Sequence, residues 1–246
     1  MSEATGMLSG LAALVVGADE IGLGIAQRFE REGAEVAVLE YDESLRGDPR
    51  AVAAAVTECM DRGERLDVLV CNLLPAARPI ALEAIDAGAF GDSLRVLQDC
   101  RAAMQAAFPE LRESRRGRIL LVGHRYGENV AESLGAYNTA AWGLVGLMRT
   151  AAVEWGPHQI TTNLLLPVAR TTEFEAARAR RPAVIDRLVA QLPLRRVGDP
   201  ERDIGGAAAF LASDAACFVN GEVLYADGGQ QVAGPVLNPA RFVPTP

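Results

Sequence analysis

The sequence predicts an α/β protein: one doubly wound domain in which helices cover both faces of a parallel sheet. Three observations carry this. The chain has 246 residues, half of them hydrophobic, enough to bury a sizeable core in one unit. Six short, nearly continuous apolar runs recur along it, and such runs suit strands buried on both faces. Segments with helical periodicity lie between them, so strand and helix alternate.

Taken in order, "AALVV" at 12–16 is the first strand, and a helical pattern over 22–32 follows until Gly33 ends it in "EREGAEV". "VAVL" at 36–39 is the second strand. "GDPRAV" then opens a helix over 49–62, with Asp48 as N-cap and Pro49 at the first helical position. "DVLV" at 67–70, "RILLV" at 118–122, "TNLLL" at 162–166 and "EVLY" at 222–225 supply the remaining strands. Helical patterns cover 91–113, 136–155, 173–190 and 201–212, the last opened by "GDPERD", where Asp199 and Pro200 repeat the cap. The stretch 235–246, "PVLNPARFVPTP", holds four prolines and cannot extend a helix or a central strand. Residues 1–234 are therefore read as the domain and 235–246 as an extended tail, either a frayed end or an arm on a neighbouring subunit.

Composition excludes several classes of function. A formal net charge of -8 offers no electrostatic footprint for nucleic acid or an anionic membrane. Arg178, Arg180 and Arg181 read as a solvated helix face. Cys59, Cys71, Cys100 and Cys217 show no CxxC spacing and the chain has two histidines, so no metal site is expected and the cysteines are read as reduced core residues. No apolar run approaches the roughly 20 residues that span a bilayer, and "MSEATGMLSG" lacks the pattern of a signal peptide. A cytoplasmic protein is expected.

Three segments in this order carry a resemblance. "LDVLV" leads into the position of an NNAG turn, "GAYNTAAWGLVGLMRTAAVEWGPHQITTNLLLP" follows, and "PLRRVGDPERDIGGAAAFLASDAACFVNGEVLYADGG" closes the series. Together they resemble the short-chain dehydrogenase/reductase family over nearly the whole chain. The resemblance implies a single Rossmann-type domain and hydride transfer between NAD(H) or NADP(H) and an alcohol or carbonyl carbon. It also implies a tetrad of Asn, Ser, Tyr and Lys. Tyrosine ionises near pH 10, so it exchanges protons at neutral pH only where a neighbour such as lysine stabilises its anion. Tyr137 matches the tyrosine, but the lysine position is Ala141, and no lysine or arginine occurs between Tyr137 and Arg149. The serine position is His124 and the asparagine position is Val96. Tyr137 alone reads as a packed residue. His124 beside it would form a replacement acid/base pair, but no third group is evident to orient the imidazole. No catalytic residue is expected in this chain.

The family's dinucleotide loop, TGxxxGxG, is also altered. Aligned with "VVGADEIGLG", Gly17 takes the first glycine and Gly22 the third, one residue short, with Glu20 on the second and Val16 on the threonine. A carboxylate about 4 Å from a phosphate oxygen repels it by roughly 4 kcal/mol at an effective dielectric near 20, about a thousandfold in affinity. "GLG" is left with a role in close packing. In "CNLLP", Leu73 and Leu74 stand where small residues make room beside the adenosine. The span from Gly33 to Asp67 is much shorter than the family's, which predicts that one helix and one strand are missing after the second strand. Glu40 matches the acidic residue that binds the adenosine ribose, and Thr172 the threonine that meets the nicotinamide amide. These are read as vestiges, and no cofactor is expected on this chain.

The regions that match best are those by which family members associate. The Tyr137 helix carries Ala140, Gly143, Leu144 and Leu147 on one stripe and Ala141, Val145, Met148 and Ala152 on another, a pattern of burial on two sides. The expectation is a catalytically silent subunit in a heterotetramer with a homologous active subunit that binds NAD. The complex would be an alcohol or hydroxyacyl-CoA dehydrogenase of aromatic degradation. The alternative is a stand-alone enzyme of altered chemistry or a ligand-binding homo-oligomer.

Overall fold

A computed structural model describes residues 6–61, 65–73, 79–123 and 132–233. The strands are β1 (Ala12–Val16), β2 (Glu35–Leu39), β3 (Val68–Cys71), β4 (Arg118–Val122), β5 (Thr161–Pro167) and β6 (Val223–Ala226). The helices are α1 (Glu20–Arg31), α2 (Pro49–Asp61), α3 (Ala87–Ser114), α4 (Gly135–Trp155), α5 (Thr172–Arg180), α6 (Pro182–Val189), α7 (Gly206–Ala212) and α8 (Gln230–Ala233). All six strands form one parallel sheet in the order β2-β1-β3-β4-β5-β6. Each predicted apolar run is one of these strands, within a residue or two at its ends.

Alternate residues of the inner strands enter opposite cores. Leu14, Leu69, Leu121 and Leu164 pack with Val52, Met104 and Leu144 of α2, α3 and α4. Val15, Val70, Leu120 and Leu165 pack with Ile25 and Phe29 of α1 and Ala208 of α7. The step from β1 to β2 runs outward and the step from β2 to β3 runs back past β1. Right-handed crossovers therefore place α1 and α2 on opposite faces. Residues 40–67 hold α2 and no strand among those described. The expected loss of one helix and one strand is thus met, and β2 becomes the edge of the sheet.

Local chemistry fixes the helix ends. Asp48 Oδ1 accepts the Arg50 and Ala51 N–H groups, and Asp199 Oδ1 accepts those of Glu201 and Arg202. Gly33 leaves α1 at φ +89°, a conformation glycine adopts freely. The predicted helix over 173–190 is two helices, because Pro182 has no N–H to continue α5. The last predicted helix opens as a π-turn over Pro200–Gly205. Gly24 and Gly205 let α1 and this turn touch: a Cβ on Gly24 would lie 2.6 Å from the Pro200 carbonyl carbon, and one on Gly205 2.9 Å from the Gly24 carbonyl oxygen.

Packing gives Gly143 a role, and exposure corrects one expectation about the cysteines. Gly143 serves contact inside the chain, since a Cβ there would meet Leu97 of α3 at 2.4 Å. The large apolar residues that α4 exposes are Trp142 and Val153. All four cysteines are free, but Cys217 is exposed, so it is not a core residue. Among the described residues no helix is long and apolar enough to cross a membrane, and no acidic, histidine or cysteine cluster could hold a metal.

Asp67 pins the amino ends of the strands. Its buried carboxylate accepts the Ala12 N–H at 2.9 Å, the Ser114 hydroxyl at 2.6 Å and the Arg65 guanidinium at 2.7 Å. Burial alone would raise its pKa, but the bonds from Arg65, Ser114 and Ala12 outweigh it and hold the carboxyl below the usual carboxylate range. A depressed carboxylate stabilises the fold above its unfolded pKa of about 4, and this contribution is lost as pH falls through the folded value. Asp67→Asn is expected to cost about 3 kcal/mol at pH 7, and to flatten the stability loss that chemical denaturation of the native chain shows below about pH 4.

Candidate functional site

In an open parallel sheet, ligands bind outside the carboxyl ends of the strands, where the strand order reverses. Here that point lies between β1 and β3, at the loop after Val16 and the turn after Cys71. Gly17 takes φ +103° and lies against the Asn72 backbone, where a Cβ would stand 2.2 Å from the Asn72 carbonyl oxygen. A Cβ on Gly22 would stand 1.8 Å from the Gly17 carbonyl oxygen and 3.0 Å from Asn72 Nδ2. These two glycines close the loop onto the sheet.

The first turn of α1 has its donors already engaged. Asp19 is the N-cap, and its Oδ1 accepts the N–H groups of Ile21 and Gly22 at 2.9 Å each. Asn72 Nδ2 donates to the same oxygen at 2.6 Å and to the Gly17 carbonyl at 3.2 Å. A helix N-terminus binds phosphate through such amides. As arranged, the loop presents a diphosphate with the Asp19 carboxylate, which already holds the Ile21 and Gly22 amides.

Glu20 is turned away from the loop. Its Oε1 accepts the Thr172 N–H at 2.9 Å, which ties α1 to the start of α5. The Thr172 side chain and backbone both hydrogen-bond the carboxylate and hold its pKa below the usual range. Thr172, the residue aligned with the nicotinamide contact, thus has its amide engaged within the chain. Thr171 caps α5 by accepting the Phe174 N–H.

At the end of β2, Glu40 is exposed. The chain beyond it folds back over α3. Tyr41 donates to Asp99 Oδ2 at 2.5 Å, the Gly47 N–H donates to the same oxygen at 2.7 Å, and the Arg46 guanidinium lies over the Tyr41 ring. Burial, then the Asp99 hydrogen bond and charge, push the Tyr41 phenol up. Tyr41 and Leu45 pack against the same core as Leu73, which is fully buried. Leu74 and His124 lie outside the described residues.

Tyr137 is in the first turn of α4 and 5% exposed, with Ala141 one turn on at 9% and Val96 of α3 at 4%. Beside Tyr137, the buried Asn138 carboxamide has no hydrogen-bond partner among the described residues. Sequence reasoning passed over Asp19, Asn72 and the Tyr41–Asp99 pair. An aspartate just before a helical pattern is an N-cap signal, so Asp19 was findable, whereas the pairing of Tyr41 with Asp99 crosses 58 positions and leaves no local trace.

The model of the enoyl-(acyl carrier protein) reductase family matches residues 46–231. The chain belongs to the short-chain dehydrogenase/reductase family. The matched span begins beyond β2 and so leaves out the glycine loop. Oxidoreductase UcpA of Escherichia coli O157:H7 is 31% identical over 252 residues, covering 91% of this chain and 95% of that protein. Mouse dehydrogenase/reductase SDR family member 4 is 30% identical over 90% of this chain and 88% of its own length. Among solved structures, ligand-free aldohexose dehydrogenase of Thermoplasma acidophilum superposes with a TM-score of 0.82 at 25% identity, covering 93% of this chain and 97% of that one.

Asp19 holds the first turn of α1 and joins it to the turn after β3, so its loss affects stability directly. Asp19→Ala is expected to cost about 1–2 kcal/mol, the worth of an N-cap, and more than Glu20→Ala, with thermal denaturation of the two variants as the comparison.

Proposed function

We propose that this chain is a non-catalytic short-chain dehydrogenase/reductase subunit. It binds no dinucleotide itself and assembles, as a heterotetramer, with a homologous subunit that binds NAD and transfers the hydride. The observation that supports this most is Asp19 on the Ile21 and Gly22 amides, where a cofactor diphosphate would need to be received. The buried Ala141 at the lysine position adds to it, since Tyr137 then has no lysine one turn on to stabilise its anion. The proposed substrate class is an alcohol, with the hydroxyacyl-CoA intermediates of aromatic degradation as the specific case. The active subunit would supply all proton and hydride transfer, and this chain would complete the assembly.

A second reading has its own support, because relatives at 30–31% identity include a named oxidoreductase and a dehydrogenase/reductase. It makes the chain an enzyme in its own right, with altered chemistry around Tyr137 and His124. Affinity purification of the tagged chain from its native host, followed by native mass spectrometry, separates the two. The proposal expects a second family member with an intact YxxxK motif, and Tyr137→Phe that leaves the activity of the complex unchanged. A homo-oligomer alone, or a hundredfold fall in activity for Tyr137→Phe without dissociation, would favour the second reading.

A further inference from the structure

Shortening the chain between β2 and β3 leaves β2 hydrogen-bonded on one side only. The Glu35 N–H donates to Leu11 and the Gly17 N–H donates to Leu39. By the alternation of a strand, Glu35, Ala37 and Leu39 address β1, while Val36 and Val38 direct N–H and C=O groups outward. Those outward groups have no partner among the described residues. Edge strands are ordinarily blunted by lysine, proline or a bulge. β2 has none of these: its five residues pair with β1 in unbroken register, its one charge is Glu35, and Val38 is 40% exposed.

We propose that this edge is an interaction surface for a second copy of the chain. β2 would pair antiparallel with the partner's β2 about a twofold axis at Ala37, joining two six-stranded sheets into one. The sequence of the strand chooses the occupant, because Val36-Ala37-Val38 reads the same in both directions. In this register Val36 lies opposite the partner's Val38 with their outward groups exchanged, and the two β-branched side chains form a favourable cross-strand pair on the α1 side. Ala37 meets the partner's Ala37 on the α2 side, where a small residue lets the flanking helices approach. Glu35 faces the partner's Leu39, so no like charges oppose one another within the five paired residues. Such an interface is isologous and closed. It uses neither the glycine loop nor the α4 face, so it stands or falls apart from the proposal above.

Ala37 at the axis gives a positional test. A non-hydrogen-bonded antiparallel pair holds its Cα atoms about 4.5 Å apart, inside the range a disulfide spans. In the purified chain carrying Cys217→Ser, Ala37→Cys is expected to form a disulfide-linked dimer on mild oxidation. Glu35→Cys in the same background should form at least tenfold less. Val38→Pro removes an outward N–H while keeping the bonds to β1, and should halve the mass of the assembly in sedimentation with the circular dichroism unchanged. If that variant fails to fold, Val38→Lys should give the same halving. Equal cross-linking at positions 35 and 37, or a folded Val38 variant that sediments like the parent, would overturn the proposal.

Discussion

Three hydrogen bonds converge on one oxygen of Asp19, from Ile21, Gly22 and Asn72, and they join β1, α1 and the turn after β3 at the carboxyl end of the sheet. A helix start must find acceptors for its first N–H groups. In nucleotide-binding relatives of this topology the ligand supplies them. Here a side chain two residues past Gly17 does so, and the glycines that shape the loop, Gly17 and Gly22, now close it onto Asn72 and onto itself. The acceptor of these first N–H groups is thus a side chain of the same chain.

Other internal hydrogen bonds recur along the cleft. Glu20 takes the Thr172 amide, and Tyr41 and Gly47 take Asp99. Each bond joins segments that border the carboxyl ends of the strands, and each stabilises the chain without a ligand. The short connection from β2 to β3 is what permits the second of these, because it lets residues 41–47 drop onto α3. It also leaves the outer edge of β2 unpaired among the described residues, so the contraction that fills one end of the cleft opens one edge of the sheet.

The fold was legible because its inner strands are buried on both faces and so appear as unbroken apolar runs. The caps at Asp48 and Asp199 were legible because proline follows each. Where the sequence misled, tertiary packing was the cause. Gly143 lies on a stripe that could face a partner as easily as Leu97, and periodicity does not distinguish them. The break at Pro182 was readable from the proline itself, but both halves share one helical pattern. At the site, Glu20 was read as a charge against phosphate, a reading that depends on which way a flexible side chain turns. The structure turns it to Thr172 and gives the loop to Asp19, whose role follows from position at a helix start rather than from any glycine motif.

The account rests on a loop whose amides are already held. Calorimetric titration of NADH into the purified chain tests that directly. The account predicts no saturable heat up to about 1 mM cofactor, an affinity weaker than roughly 4 kcal/mol. One-site binding with a micromolar dissociation constant would contradict it, because Asp19 would then have to yield its amides to the diphosphate.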